Sequence, residues 1–429
     1  MSFAQRLHDV RTGFERPFWV ANISEIFERL SYYAVFASLA RYLHETLQFP
    51  TERVGSLAGL FGGLVWFLAI FGGTLADRMG FRRALSLAYL ILSCAYFLLG
   101  SIAAPWLAPI RGAIPLTLLV TVILMLPALG VSLVKPSVVG TTARASKPEV
   151  RSFGYSIYYT MVNIGSAAGP YVASWVHRHL RVENVFRVAA LSVFLMFILV
   201  LLLFKEPRRS EEGKTESLAQ AGRNFLTVLG NFRFMLFLLI FTGYWIVFWQ
   251  EFIILPLYIH DYVSPTADTE LILMTDPLVV IFFTVLITLL TRKLAAFSAV
   301  ILGTLITGVA FVPLILRPTV PIAIVTLILI ALGELIQQPR YYDYISRLAP
   351  PGQQGTYMGF AFLPLGIGSF IGGPIGGWLV HHFGEERHQP AMIWWCATGI
   401  GVATTILLLL YDKFLRPKSA DEQTQAAAK

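Results

Sequence analysis

Residues 25–33, EIFERLSYY, place three ionisable side chains inside an apolar run that extends from about residue 18 to residue 43. A run of this length crosses the hydrocarbon core of a bilayer. A charged side chain near the bilayer centre costs about 2.5–3.5 kcal/mol, so a span keeps one only where it faces a protein interior and finds a partner. We interpret this segment as a transmembrane helix with a functional interior face; a purely structural polar cluster is the alternative.

The spacing of the polar and aromatic side chains puts them on one stripe of this helix. Helical neighbours recur at intervals of three and four residues. The stripe consists of Glu25, Glu28, Arg29, Tyr32, Tyr33 and Phe36. We expect this face to line the protein interior and the rest of the helix to face lipid.

The composition of the whole chain is that of a membrane protein. Of its 429 residues, 56% are hydrophobic and 14% are charged, and the mean hydropathy is +0.67, whereas soluble domains carry roughly 25% charged residues. The formal net charge of +8 then indicates basic cytoplasmic loops, not nucleic-acid binding. Cys94 and Cys396 both lie in apolar runs, so no disulfide is expected.

Apolar segments of span length predict an all-α integral membrane protein with twelve transmembrane helices in two six-helix bundles. Their approximate limits are 18–43, 54–76, 84–104, 114–140, 152–177, 186–205, 233–260, 270–291, 295–316, 320–346, 355–381 and 391–412. One long polar interruption divides the chain. We expect an N-terminal bundle over residues 1–205, a cytoplasmic linker over 206–232, a C-terminal bundle over 233–413 and a cytoplasmic tail over 414–429.

Basic residues concentrate on one side of the predicted bilayer. That side includes Arg6, Arg11, Arg16, Arg78, Arg82, Arg83, Arg144, Lys147 and the basic residues of the linker. Cytoplasmic loops carry the excess of Lys and Arg. We therefore expect a multi-pass protein of the cell inner membrane with both termini in the cytoplasm, acting as a monomer.

The loop after the second span reads GTLADRMGFRR at residues 73–83. It resembles the G-x-L-A-D-R-x-G-x-[RK]-[RK] signature of the major facilitator superfamily, which implies the major facilitator fold. Asp77 can interact with the N-terminal dipole of a neighbouring helix, and Arg78 with an acidic neighbour. We expect the two to latch the cytoplasmic gate; a solvated basic turn is the alternative.

Four further stretches resemble motifs of the proton-coupled oligopeptide transporters. They are EIFERLSYY at 25–33, GVSLVKP at 130–136, YSIYYTMVNIGS at 155–166, and LGEL at 332–335 followed by SRLAP at 346–350. The resemblance spans both halves of the chain. It implies that Glu25, Glu28, Arg29 and Lys135 couple transport to protons, that Tyr32, Tyr33 and Asn163 line the site, and that Glu334 faces the amino end of the substrate.

The chemistry of the two isolated charges agrees with those roles. Lys135 lies in mid-membrane and needs an anion, for which Glu25 and Glu28 are the nearest candidates; snorkelling is the alternative. Glu334 sits in an apolar helix and needs a cation or a proton. Protonation of a glutamate would free its basic partner to take a substrate carboxylate, which would couple the two ligands.

Several positions depart from the family pattern and change the expected pocket. Phe36 stands where an Arg is usual, Asp276 stands where an Asn is usual, and Glu251 lies near the paired-acid segment of the seventh span. Compared with the family pattern, the expected pocket lacks one cationic side chain and has one additional acidic side chain. We therefore expect Phe36, Glu251 and Asp276 to contribute to substrate binding and to favour amino-bearing or cationic solutes over ordinary dipeptides.

The predicted function is proton-coupled symport of di- or tripeptides or related amino-bearing solutes by alternating access. Export of drugs or metabolites is the alternative, ahead of a membrane receptor or enzyme, for which we find neither a large soluble domain nor a reactive constellation. No metal-ligand spacing, phosphate loop or nucleophile triad occurs, so no catalytic site, metal or cofactor is expected. The expected partners are a small-molecule substrate, protons and the lipid bilayer, without nucleic acid.

Most of the histidines lie at predicted external ends of spans. They are His44, His177, His179, His260, His381, His382 and His388. Histidine gains charge between about pH 8 and pH 5. We expect external acid to charge this ring and to oppose closure of the outer gate; interfacial anchoring is the alternative.

Overall fold

The structure is a computed structural model that describes residues 13–147, 150–207, 223, 226–350 and 354–416. The side chains at positions 70, 74, 77, 152, 354 and 355 are not part of this description. Most of the predicted linker, 206–232, and of the predicted tail, 414–429, lies outside it. Within the described ranges the chain is helical apart from short loops and one isolated bridge between Phe14 and Ser146.

The helices of the N-terminal half follow the predicted apolar runs. They are α1 (Arg16–Arg41), α2 (Thr51–Met79), α3 (Phe81–Leu99), α4 (Ala108–Ala113), α5 (Leu116–Arg144), α6 (Arg151–His179) and α7 (Glu183–Leu203). A π-helical turn, Tyr42–Thr46, extends α1, and a 3-10 turn, Pro105–Leu107, precedes α4.

The helices of the C-terminal half are more often interrupted. They are α8 (Phe232–Phe248), α9 (Gln250–Ile253), α10 (Leu255–Tyr258), α11 (Thr269–Leu273), α12 (Thr275–Thr291), α13 (Ala296–Val309), α14 (Val312–Leu316), α15 (Val320–Leu348), α16 (Gln354–Phe360), α17 (Leu363–Leu379) and α18 (Ala391–Phe414). π-helical turns at Ile259–Val263 and Val380–Glu386 extend α10 and α17.

Local chemistry explains where several helices begin. The side chain of Asn231 accepts a hydrogen bond from the backbone N–H of Phe234, 3.2 Å away, and so caps α8. Asp268 caps α11 in the same way through the N–H of Leu271 at 2.9 Å. Short polar side chains satisfy the free N–H groups of a first helical turn. These caps separate apolar segments that would otherwise run together.

Nine helical segments among the described residues are long and apolar enough to cross a membrane. The chain is therefore a multi-pass helical membrane protein, as its composition predicts. We call the end at which α1 finishes the outer end, because the charge distribution predicts it to be external. The opposite end is called the inner end.

Helix α1 is enclosed by protein on nearly all sides. Off the polar stripe, Ala21, Val35 and Leu39 are buried, while Ile23 and Phe27 are 40% and 38% exposed. The expectation that the rest of this helix faces lipid is therefore wrong. Hydropathy cannot separate a side that meets lipid from one that meets another apolar helix, and α1 packs against α5, α6 and α7.

Glycines bring the two halves into close contact along α2 and α17. A Cβ added to Gly59 would lie 2.6 Å from the carbonyl oxygen of Ser369 and 2.9 Å from the Cα of Gly373. The Ser369 hydroxyl donates to the Gly59 carbonyl at 3.1 Å. Small residues allow membrane helices to approach to backbone contact, so this pair of helices joins the halves.

Candidate functional site

The charged residues of α1 form one buried group. Arg29 donates two hydrogen bonds to Glu28, one of them from Nη2 to Oε1 at 2.8 Å. Its Nε lies 3.6 Å from Glu25 Oε1. The carboxylate oxygens of Glu25 accept no hydrogen bond from the described residues, although the side chain is fully buried. A carboxyl in this position requires a proton or a nearby cation.

Lys135 comes from α5 and approaches this group from the side of α2. Its Nζ lies 4.3 Å from the centroid of the Trp66 ring and 5.8 Å from that of Phe362 in the C-terminal half. Among the described carboxylates, none lies within 4.0 Å of this ammonium, so the expected ion pair with Glu25 or Glu28 is not formed. The charges of Glu25 and Lys135 still act on each other through space. Aromatic faces stabilise the ammonium instead.

Three carboxyls of the C-terminal half gather opposite α1. Glu251 lies in α9, Asp276 at the start of α12 and Glu334 in α15. The charges of Asp276 and Glu334 both act on Glu251, and that of Asp276 acts on Glu334. Both oxygens of Glu251 and one oxygen of Asp276 are buried without a hydrogen bond from the described residues. Burial of such a set is costly unless protons or a positive ligand neutralise it.

Tyrosines connect the two charged groups. The positive charge of Arg29 acts on the hydroxyl of Tyr33. The charges of Glu334 and Asp276 in the C-terminal half act on the same hydroxyl. Tyr159 of α6 is 48% exposed and lies within the influence of Glu334. Asn163 donates to the backbone carbonyl of Tyr159 at 2.8 Å. The charge of Glu334 thus reaches both Tyr33 and Tyr159, beside which Asn163 lies. That Tyr33, Asn163 and Glu334 line a substrate site stays a prediction.

The buried Tyr32 also belongs to the region around the charged residues of α1. The Arg29 guanidinium lies 5.0 Å from the centroid of its ring. The ring itself packs 5.7 Å from that of Phe61 in α2. The Tyr32 ring thus contacts both Arg29 and Phe61. Its hydroxyl neither donates nor accepts a hydrogen bond among the described residues.

Phe36 occupies a different environment from the one expected. Its ring stacks on Phe252 at 5.2 Å and meets Trp249 edge-on at 5.5 Å, and both partners lie in the C-terminal half. It also packs 5.5 Å from Phe61. The side chain is 1% exposed in this conformation, and its contact with substrate stays a prediction. The Phe36 ring thus belongs to an aromatic cluster that joins the two halves.

Polar contacts close the outer end across the two halves. Glu270 of α11 is 1% exposed and lies 2.9 Å from His177 Nδ1 and 3.6 Å from Arg41 Nη1. Beside it, Asp268 accepts a hydrogen bond from Ser174 at 2.6 Å and lies 3.1 Å from Arg178 Nε. We call this set of six residues the outer latch. A second contact, from Thr51 to Glu385 at 2.9 Å, joins α2 to the turn after α17.

The inner part of α6 carries exposed aromatic side chains. Phe153 and Tyr155 are both exposed there. The described ion pairs between the halves lie at the outer end. Ion pairs between the halves therefore hold the outer end closed in this conformation.

Several histidines at the outer end face carboxylates, whereas His44 and His179 face backbone carbonyls. His381 Nδ1 lies 2.8 Å from Glu385 and His382 Nδ1 lies 2.9 Å from Glu386, as His177 lies against Glu270. The premise of a ring of like charges is wrong for these residues. Protonation places an imidazolium against a carboxylate, so acid is expected to strengthen these contacts.

An acidic residue that was not predicted from the sequence fixes the signature loop at residues 73–83. Glu206, beyond α7, accepts the backbone N–H groups of Phe81 and Arg82 at 2.8 Å each and so caps α3. Gly80 allows the turn, since its φ of +81° is unfavourable for residues with a side chain. Arg78 is exposed. The predicted contact of Asp77 concerns a side chain outside the described set.

Sequence reasoning missed the outer latch and Trp66. A signal was available for Glu270, which is an acid at the start of a predicted span. Its partners lie 93 and 229 residues away in the chain, so no local pattern could reveal them. Trp66 is one aromatic residue in an apolar span, and nothing in its neighbourhood distinguishes it.

Comparison with known proteins agrees with this architecture. A family model described as Major Facilitator Superfamily matches residues 22–364 and 278–429. The multidrug resistance protein MdtH of Cronobacter sakazakii is 23% identical over 394 residues, which cover 88% of this chain and 90% of that protein.

Solved structures with the same fold include two kinds of transporter. A POT family transporter in complex with 5-aminolevulinic acid superposes with a TM-score of 0.76 at 19% identity, covering 94% of this chain and 97% of that one. The nucleoside transporter NupG gives a TM-score of 0.78 at 12% identity, covering 92% and 99%. The resemblance to oligopeptide transporters that the motifs indicate is thereby confirmed at the level of fold.

Proposed function

Because the chain belongs to the major facilitator superfamily, a family of transporters and not of enzymes, we propose that it is a proton-coupled symporter of small solutes that carry a free amino group, di- and tripeptides included. In this proposal twelve spans form two bundles over residues 1–205 and 233–413, in the inner membrane as a monomer, with both termini in the cytoplasm. The solute crosses by alternating access of the two bundles to one central site.

The observation that carries the substrate class is the set of Glu251, Asp276 and Glu334. Two of these carboxyls, Glu251 and Asp276, are buried and Glu334 is partly buried. Their charges act on one another, and among the described residues none has a basic partner within 4.0 Å. An ammonium group supplies the missing positive charge, and neighbouring aromatic rings favour it further. A structural neighbour holds 5-aminolevulinic acid, itself a small solute with an amino group. Phe36 stands where an Arg is usual in the oligopeptide transporters. The site therefore lacks a cation that would have attracted a second carboxylate of the solute.

The group on α1 supplies the proposed proton site. Glu25 is buried, lacks a described hydrogen-bond donor and lies 3.6 Å from Arg29. Protonation of Glu25 removes a negative charge and so weakens the electrostatic attraction of the acidic group for Arg29 and Lys135. Lys135, which rests on aromatic rings without a carboxylate within 4.0 Å among the described residues, is then ready to take the substrate carboxylate. Proton binding and substrate binding thus favour each other.

A binding screen with the purified protein tests the substrate class. A ligand that binds the folded state raises its melting temperature by mass action. We expect stabilisation by amine-bearing peptides and amino acids, none by their N-acetylated forms, and a reduced response in Asp276→Asn. Glu183→Gln, which alters a buried acid at the outer end of the N-terminal half, is the matched control. Equal stabilisation by an amine and its N-acetylated form would exclude the proposed recognition.

Export of drugs or metabolites is the second candidate, and the similarity to a multidrug resistance protein favours it. Proteoliposomes distinguish the two directions. With the outer end facing an acidic medium, a symporter accumulates labelled solute inside the vesicle, whereas an exporter uses the same proton flow to expel it. Reconstituted protein of known orientation and an imposed pH gradient therefore decide between them.

A further inference from the structure

A groove lies on the outside of the N-terminal half, apart from the proposed solute site. It lies at the inner end, between the start of α3 and the end of α7, and encloses about 780 Å³. Arg78, Arg82 and Arg83 line it together with Leu87 and Leu201. Ligand pockets in proteins commonly enclose about 300–1,000 Å³, so the groove has room for a sizeable molecule.

The groove carries an excess of positive charge. Glu206 is the acid among its lining residues, and both of its oxygens accept backbone N–H groups at 2.8 Å. Arg82 uses one Nη to donate to the Leu201 carbonyl at 2.7 Å. Among the described carboxylates, none lies within 4.0 Å of the guanidinium of Arg78 or Arg83. Guanidinium groups bind phosphate through paired hydrogen bonds.

The wall of the groove beside the arginines is apolar and lies on the lateral surface of the protein. Leu87 is 40% exposed and Leu201 is 45% exposed. Both lie within candidate membrane spans, α3 and α7, so we expect lipid chains to surround these side chains. A soluble anion would use the arginines and leave this wall without a partner. A phospholipid uses both, with its phosphate at the arginines and its acyl chains along α3 and α7.

We propose that this groove binds an anionic phospholipid. Basic pockets between membrane helices on the cytoplasmic side suit anionic headgroups, and the predicted orientation places the groove on that side. The bound headgroup contacts the loop between α2 and α3, which carries the signature motif. The proposal does not rest on the nature of the transported solute.

Native mass spectrometry and thermal unfolding of the purified protein test the proposal with phosphatidylglycerol and phosphatidylcholine as probes. We expect phosphatidylglycerol to bind and stabilise, and phosphatidylcholine to do so much less. One basic residue near a membrane surface contributes about fivefold in affinity for an anionic lipid. Arg83→Ala should therefore bind phosphatidylglycerol about fivefold more weakly, while Arg83→Lys keeps most of the affinity.

The matched control is Arg292→Ala, which removes one exposed positive charge at the inner end of the other half. Its phosphatidylglycerol binding should equal that of the parent protein. Equal losses in Arg83→Ala and Arg292→Ala would overturn the proposal, because the attraction would then be general. Stabilisation by inorganic phosphate as large as that by phosphatidylglycerol would also overturn it, in favour of a soluble anion. If Arg83→Ala does not fold, Arg78→Ala is measured in its place against the same criteria.

Discussion

Replacement of Glu270 by Gln should open the outer end of the protein. The Glu270 carboxylate is 1% exposed and lies against His177 at 2.9 Å and Arg41 at 3.6 Å. Both partners belong to the other half of the chain. The substitution keeps the shape of the side chain and removes the charge that attracts them.

The size of the effect follows from these contacts. Removing one member of a buried ion pair costs about 3–5 kcal/mol when the other member is left alone. Arg41 is not left alone, because its Nε lies 2.7 Å from Glu45 within the same half. The loss is then closer to that of one hydrogen bond to a charged group, about 2 kcal/mol. A change of this size shifts the ratio of closed to open outer ends about 30-fold.

Spectroscopic distances between the halves measure that ratio. Labels on cysteines introduced at Leu180 and Arg317, both exposed near the outer end, report the separation of α6 and α14 after Cys94 and Cys396 are replaced by Ser. We expect a short distance in the parent protein and a growing population of longer distances in Glu270→Gln.

Glu183→Gln is the matched control for this experiment. Glu183 is also buried at the outer end, but its ion pair with Arg181 lies within the N-terminal half. The distance distribution of the Glu183→Gln protein should match that of the parent protein. An unchanged distribution in Glu270→Gln, or an equal shift in Glu183→Gln, would refute the reasoning that contacts between the halves hold the outer end closed.

Three further predictions concern coupling, helix approach and acid. Glu25→Gln, at the proposed proton site, should abolish proton-driven accumulation while solute counterflow persists, and Lys135→Ala should lose both; undiminished accumulation by Glu25→Gln under a pH gradient would contradict the first. Gly59→Ala should lower the stability of the closed outer end by about 1–3 kcal/mol through overpacking against Ser369, which the same distance measurement detects as opening. Acidification from pH 8 to pH 5 should shorten the outer distance in the parent protein but not in His177→Gln, and acid-driven opening would show that the sign is wrong.

The sequence by itself determined the membrane class, the charged stripe of α1 and the family. Each of these is a local property. An ionisable residue inside an apolar run marks an interior face because the cost of exposure to lipid depends on that segment alone. The loop at residues 73–83 and the motif at 25–33 are contiguous, so their residues are recognisable before any helix packs. The same logic located Lys135 and Glu334 as charges in need of partners.

Only the tertiary structure decided which partners those charges have. Lys135 rests on Trp66, not on a glutamate, and Phe36 packs against Phe252 in the other half. The charge of Asp276 in α12 acts on Glu334 in α15 because the packing of those helices places the two carboxyls near each other. Helix rotation and the approach of the two halves set these contacts, and both depend on the packing of all the helices together. No periodicity within one span carries that information, which is why the outer latch at Glu270 emerged from the fold alone.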